Sequence, residues 1–327
     1  MGAVYYYSFI ETCPRSSIGQ SVCLRSKRLQ IRVLPGALHF NEWINSTHLF
    51  LRYNQIMNNE RNQILLTNDD GIQSPGLWSA AEALSSLGFV TVAAPRDQAS
   101  ASGRSLPMTS DGKISTEQLR IGKQKWNTYA IGGTPAQTVL HALLEIVPSK
   151  PDLVVSGINY GENVGHSITI SGTVMAALEA ASMGIKAMAV SLQMHESQHL
   201  SHSKEVNFET AAFFTNKFAK LLLNAELPDD VDVLKIDIPQ GATPDTEWRI
   251  TKLARHRYYT PILNRKGEWA EKGFIDYRMD VQPIDLPHNT DIYTLVYDKL
   301  ISVTPISLDL SSRIDLIDLD QQFREDK

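Results

Sequence analysis

Between residues 63 and 238, short and nearly unbroken apolar runs alternate with stretches patterned for helices, and this alternation leaves the chain very few architectures. Gln63–Thr67, Phe89–Ala94, Asp152–Val155, Lys186–Ser191 and Val233–Ile238 read as strands, apolar on both faces as a sheet covered by two helical layers requires. The segments between them read as helices. The first has Ser74 as N-cap, Pro75 at the first helical position, Leu77, Ala81, Leu84 and Leu87 at helical spacing, and Gly88 as a stop. Pro135–Leu144, Thr173–Met183 and Phe208–Leu223 follow the same pattern. Successive strand, helix and strand imply parallel strands joined by a right-handed crossover. The expected fold class is α/β, a doubly wound and mainly parallel sheet over residues 57–240. From about Pro239 the texture shifts to strand-like pieces, Trp248–Leu253 and Leu295–Val303, among aromatic and charged loops. Residues 241–327 are expected to form a smaller β-rich extension that reaches a partner subunit.

The first 56 residues differ in kind. Six Lys or Arg stand against Glu11 and Glu42 there, so the segment carries +4 while the rest carries −9 of the chain's formal −5. Tyr5–Ile10 is too short and aromatic for a secretory signal, and Pro14, Pro35 and Gly36 break the amphipathic helix of a transit peptide. The runs Arg15–Val22 and Ile31–Ala37 resemble a transfer-RNA gene read as protein. Residues 1–56 are therefore expected to be a non-native or disordered extension without functional residues, with Met57 as the natural start.

Composition excludes several classes. The chain has no run of about 18 apolar residues, so no membrane span is expected. Its net negative charge argues against stable binding of nucleic acid. Cys13 and Cys23 are its two cysteines, which rules out disulfide scaffolds and thiolate zinc modules over the remaining chain and fits a cytoplasmic location.

In open sheets of this kind, ligands sit beyond the carboxyl ends of the strands, where helix N-termini point inward. Three loops open on that edge. The first carries Asp69 and Asp70 in Asn68-Asp-Asp-Gly71, the second Ser100, Ser102 and Ser105, and the third runs Ser156-Gly-Ile-Asn159-Tyr-Gly-Glu-Asn163. Adjacent carboxylates repel each other unless a cation or a proton intervenes. Oxygen donors without cysteine favour Mg2+ or Mn2+ over Zn2+. Gly132-Gly-Thr-Pro-Ala136 and Ser171-Gly-Thr173 each open a helix, and their bare N–H groups suit an anion.

Ile64-Leu-Leu-Thr-Asn-Asp-Asp-Gly-Ile-Gln-Ser-Pro-Gly76, Gly132–Ala136, Ser156–Asn163 and Ser171-Gly-Thr-Val together resemble the SurE family of survival proteins, metal-dependent nucleoside monophosphate phosphatases. The resemblance runs from about residue 62 to about residue 311 and includes Ala242-Thr-Pro, Trp248-Arg-Ile-Thr, Arg257-Tyr-Tyr259 and Ser302-Val-Thr-Pro305. It implies a Rossmann-like core, a C-terminal extension exchanged between subunits, and self-association as a homodimer or homotetramer. It implies 5′-nucleotidase activity on nucleoside monophosphates, with 3′-nucleotidase and exopolyphosphatase action in some members. One divalent ion per subunit, Mg2+ or Mn2+, would be held by Asp69, Asp70, Ser100 and Asn159. Asp69 and Asp70 are then the catalytic pair, with Asp69 orienting or deprotonating the attacking water, or, as a second route, attacking phosphorus itself. Ser171, Gly172 and Thr173 would hold the phosphate, while Asn68 and Asn163 fix geometry. Many members have His where this chain has Arg104, a departure that spares the ligand set and bears on substrate preference.

Rival readings are weaker. His195-Glu196-Ser-Gln-His199 matches the HExxH pattern of zinc peptidases. It follows a strand directly and sits among Gln193, Ser201 and Ser203, so a polar surface loop is expected. A dinucleotide enzyme would need GxGxxG after the first strand, where this chain has Asn-Asp-Asp-Gly. A non-enzymatic nucleotide-binding protein would have no need of the complete ligand set.

Overall fold

The structure, a computed structural model, describes residues 24–25, 30–31, 61–121, 124–195, 198–199, 206–279 and 286–325. The chain divides into two units, residues 1–57 and 58–327. In the first, β1 (Leu24–Arg25) pairs antiparallel with β2 (Gln30–Ile31). The expectation of a non-native or disordered extension over residues 1–56 otherwise lies outside the described residues.

The second unit holds β3 (Asn62–Thr67), β4 (Gly88–Pro95), β5 (Ile114–Ile121), β6 (Gln124–Ile131), β7 (Leu153–Tyr160), β8 (Ala187–Leu192), β9 (Val233–Ile238), β10 (Trp248–Ile250), β11 (Tyr259–Leu263), β12 (Ile275–Met279) and β13 (Ile301–Ile306). Its helices are α1 (Pro75–Leu84), α2 (Pro135–His141), α3 (Gly172–Ser182), α4 (Glu209–Asn224) and α5 (Leu316–Glu325). Nine strands form one sheet in the order β10-β13-β9-β8-β7-β3-β4-β6-β5. The run from β9 to β6 is parallel throughout, and β5 and β13 join it antiparallel. This is the α/β, Rossmann-like, doubly wound sheet expected from the apolar pattern.

Alternation along the strands sorts the core into two layers. Ile64 and Leu66 of β3 pack with Leu77 and Leu84 of α1 and Phe214 and Phe218 of α4. Leu65, between them, packs on the other face with Val139 of α2 and Ala177 of α3. Every residue of β8 is buried, as a sequence apolar but for Ser191 demands.

Two features depart from the sequence reading. Residues 295–297 are not strand: Tyr293–Tyr297 forms a π-helical turn, and the strand starts at Ile301. Ile292 and Leu295, three apart, both enter the cluster of Val164, Ala254 and Tyr258, which a helical turn permits and a strand does not. The border expected near residue 240 is crossed by the sheet, because β13 pairs along the outer side of β9 and β10 follows it. An unpaired edge at β9 is thereby covered. The hairpin β11–β12 forms a separate two-stranded ribbon. Among the described residues, no helix is long and apolar enough to cross a membrane.

From β3 the chain proceeds to β4 on one side, and β7 takes the other side. The order reverses between β3 and β7, which opens a crevice at the carboxyl ends of these two strands.

Candidate active site

The turn after β3 is built by Asn68. Its side-chain oxygen accepts the Gly71 N–H at 3.2 Å, and its amide donates to the Gly71 carbonyl at 3.1 Å. Gly71 has φ of +94°, a left-handed conformation that glycine adopts without strain. The side chain of Asn68 therefore shapes the loop from inside, while Asp69 and Asp70 follow it, both buried.

The N-terminus of α3 meets this turn. Ser171 is its N-cap, with a hydroxyl oxygen that accepts the Val174 N–H at 3.1 Å. The Thr173 hydroxyl donates to Asp69 Oδ1 and lies 3.1 Å from Asn159 Oδ1. At Gly172 a Cβ would sit 2.6 Å from Asp69 Cβ and 2.8 Å from its Oδ2, so only glycine lets the helix approach this closely. Asn159 is aimed by an irregularity in β7: Ser156 pairs with Ala189 but Asn159 with Ser191, leaving one extra residue on β7. Its Nδ2 donates to the carbonyls of Gly161 at 2.7 Å and Tyr160 at 3.3 Å, which turns the oxygen toward Thr173.

Asp70 is held by two donors, Gln98 Nε2 on Oδ1 and the Tyr160 N–H on Oδ2, each at 3.2 Å. Neither was anticipated. Gln98 stands two residues before Ser100 in a loop read for its hydroxyls, and a backbone donor leaves no mark in a sequence. Ser100 itself is exposed, and its neighbour Ala99 donates its N–H to the Asp69 carbonyl at 2.8 Å, so the loop is bound to the aspartate turn.

Asp69, Asp70, Asn159, Gly172 and Thr173 are thus joined by direct contacts, with Ser100 and Ser171 on the adjoining backbone. Asn163 is engaged elsewhere. Its side chain donates to Ser191 Oγ and its N–H to Asp237 Oδ1, both at 2.8 Å. The second candidate anion cradle is already satisfied internally. Thr134 accepts the Gln137 N–H at 3.2 Å and Gln137 Oε1 accepts the Thr134 N–H at 3.0 Å, a closed capping box.

Burial pushes the Asp69 carboxyl up, against hydrogen bonds from the Thr173 hydroxyl and from the N–H groups of Asp69, Thr173 and Gly172. Burial, and then the charge of Asp69, pushes Asp70 well above the carboxylate range. Among the described residues, no Lys, Arg or His is ion-paired with either. The single hydroxyl hydrogen of Thr173 faces two acceptor oxygens. Converging carboxylate, amide and hydroxyl oxygens, without sulfur or imidazole, suit a hard divalent cation.

The HExxH stretch offers no comparable site. His199 is buried, with Nδ1 3.0 Å from the Tyr277 hydroxyl and Nε2 3.3 Å from the Met194 carbonyl, so both ring nitrogens are engaged. His195 is exposed and neither histidine lies in an α-helix, while Glu196 falls outside the described residues. Among the described residues, no three His, Cys, Asp or Glu side chains group to hold a metal.

A family model described as Survival protein SurE matches residues 64–260. The chain is 41% identical over 253 residues to the 5′-nucleotidase SurE of Thermococcus gammatolerans, an alignment covering 77% of this chain and 92% of that protein. It is 37% identical over 271 residues to the 5′-nucleotidase SurE of Methanocella arvoryzae, covering 80% and 98% respectively. The crystal structure of the SurE protein from Aquifex aeolicus superposes with a TM-score of 0.62 at 32% identity, covering 80% of this chain and 99% of that one. A match spanning the aspartate turn, the Asn159 loop and the start of α3, together with full-length relatives at this identity, establishes that the chain belongs to the SurE family.

Proposed function

We propose that the chain is a divalent-metal-dependent phosphoric monoester hydrolase, a 5′-nucleotidase that converts nucleoside monophosphates to nucleoside and phosphate. Its family membership and the names of its relatives support this activity. The observation that carries the reading is the meeting of three oxygens, Asp69 Oδ1, Thr173 Oγ1 and Asn159 Oδ1, at the N-terminus of α3.

In this reading Asp69, Asp70, Ser100 and Asn159 hold one Mg2+ or Mn2+ per subunit. When bound, the ion supplies positive charge against the phosphoryl oxygens and makes water a stronger nucleophile near neutral pH. Asp69 orients that water and takes its proton as the new P–O bond forms. The bond from phosphorus to the ribose oxygen breaks in line, and the departing oxygen is protonated from solvent. Asp70 is fixed in place by Gln98 and the Tyr160 N–H. The phosphate sits at the N-terminal end of α3 beside Ser171, Gly172 and Thr173, where the positive end of the helix and the hydroxyl hydrogen of Ser171, whose oxygen is already an acceptor, attract it. Asn68 maintains the turn, and Asn163 anchors the loop after β7.

The ribbon β11–β12 and helix α5 are the proposed self-association surface of a homodimer or homotetramer. They expose Leu263, Phe274, Ile275, Leu316 and Phe323, with Trp269 between the ribbon's strands 94% exposed, an apolar display that favours a partner. We place the enzyme in the cytoplasm, consistent with its sparse cysteines.

The test is release of inorganic phosphate from a panel of nucleoside monophosphates. Release that a chelator abolishes and Mn2+ or Mg2+ restores is expected; chelator-insensitive release, or none from any nucleotide, contradicts the proposal.

A further inference from the structure

Glu179 lies within α3, a helix of small and apolar residues buried from Gly172 to Ala181 apart from Met175, and Glu179 is itself buried. A carboxylate in such a place is costly unless paired. Its partner is Arg104, whose Nε donates to Glu179 Oε2 at 2.5 Å. Arg104 belongs to the same loop as Gln98 and Ser100.

That loop is tied at both ends. At its start, Gln98 reaches Asp70 and the Ala99 N–H reaches the Asp69 carbonyl. At its end, the Gly103 N–H donates to the Ile170 carbonyl at 3.0 Å, and the Thr134 hydroxyl donates to the Ser105 carbonyl at 2.7 Å. Between the ties the backbone turns tightly, with Ala101 at φ +56° and Gly103 at φ +57°. The position of Ser100 therefore depends on where the two ends are held. The Arg104–Glu179 pair is the charged tie, and it fastens the far end to the helix whose first turn grips Asp69 through Thr173.

We infer that Arg104 and Glu179 form a clamp that sets the position of the Ser100 loop against the Asp69–Thr173 contact and so tunes the affinity of the cation site. This rests on the reading of Asp69, Asp70, Ser100 and Asn159 as its ligands. Glu179 lies six residues beyond Thr173, about 9 Å along the helix axis at 1.5 Å per residue. The guanidinium is thus drawn along α3, away from its N-terminus. Arg104 is a positioning residue rather than a group that touches the phosphate.

The experiment measures Mn2+ binding by titration calorimetry on the full chain after chelator treatment and its removal, for wild type, Arg104→Ala, Glu179→Gln, their double variant, Ser100→Ala and Ser100→Ala/Arg104→Ala. Outer residues that orient metal ligands are typically worth about 10-fold or more in affinity, so each clamp variant should raise Kd about 10-fold. The double clamp variant should bind no more weakly than the weaker single one, and Arg104→Ala should add nothing once Ser100 is alanine. Should Glu179→Gln fail to fold, Arg104→Lys replaces it, and an intermediate Kd is expected. A Kd indistinguishable from wild type in the clamp variants overturns the clamp, as does an undiminished effect of Arg104→Ala in the Ser100→Ala background. Absence of saturable Mn2+ binding by wild type overturns the ion-site reading itself, a result distinct from a clamp that fails beside an intact site.

Discussion

The hydroxyl of Thr173 donates to Asp69 Oδ1 across 104 residues of sequence, joining the first turn of α3 to the turn that ends β3. One side chain thereby links the helix N-terminus that suits an anion to the carboxylates that suit a cation. The same hydroxyl lies against Asn159 Oδ1, which brings in the loop after β7.

Thr173→Val keeps the shape and removes this link. A hydrogen bond to a charged group is worth about 1.5–3 kcal/mol, so kcat/KM for a nucleoside monophosphate should fall by roughly 10- to 100-fold at saturating Mn2+. The fold should survive, as circular dichroism would register. An unchanged kcat/KM removes Thr173 from the site.

Gly172→Ala tests close approach. The added methyl meets Asp69 Cβ at 2.6 Å, so the turn or the helix must shift. Alanine is otherwise the better helix former by about 1 kcal/mol, so helix content should hold while Mn2+ binding weakens. Wild-type Mn2+ affinity in a folded Gly172→Ala protein would show that Asp69 need not sit where it does.

A third expectation concerns pH. Asp237 is fully buried with Lys235, to which it is ion-paired, and burial pushes its carboxyl from 3.8 up to about 6 despite that partner. The native state then holds more protons than the unfolded state between these values, so stability falls as pH rises through about 4 to 6 and levels off above. Burial moves Glu162 in the same direction. Asp237→Asn removes one contribution, so its urea midpoint should change less between pH 4 and 6 than that of wild type, by at most about 3 kcal/mol in unfolding free energy. An equally steep slope in the variant places the titration elsewhere.

The central strands were legible because burial on both faces favours apolar runs, even where β9 also buries the paired Lys235 and Asp237: β3, β4, β7, β8 and β9 all stand where the apolar runs stand. The hairpin β5–β6 was not, since Ser115, Thr116, Gln118 and Asn127 sit at the sheet's edge, where polar residues pair as well as apolar ones. The run at Leu295 is short enough to suit either strand or helix, and tertiary packing around Val164 and Tyr258 decided it. In the site, Asp69, Asp70 and Thr173 announced themselves by position at strand and helix ends. The aim of Asn159 depends on an extra residue in β7, and the grip of Gln98 on Asp70 depends on the path of a loop; neither has a local pattern.

The claim that a cation held by the aspartate turn serves the ester being cut is tested most directly by Asp69→Asn. Phosphate release from a nucleoside monophosphate should fall about 100-fold or more relative to wild type under saturating Mn2+, in a protein with native circular dichroism. Near-normal release by that folded variant would contradict the account.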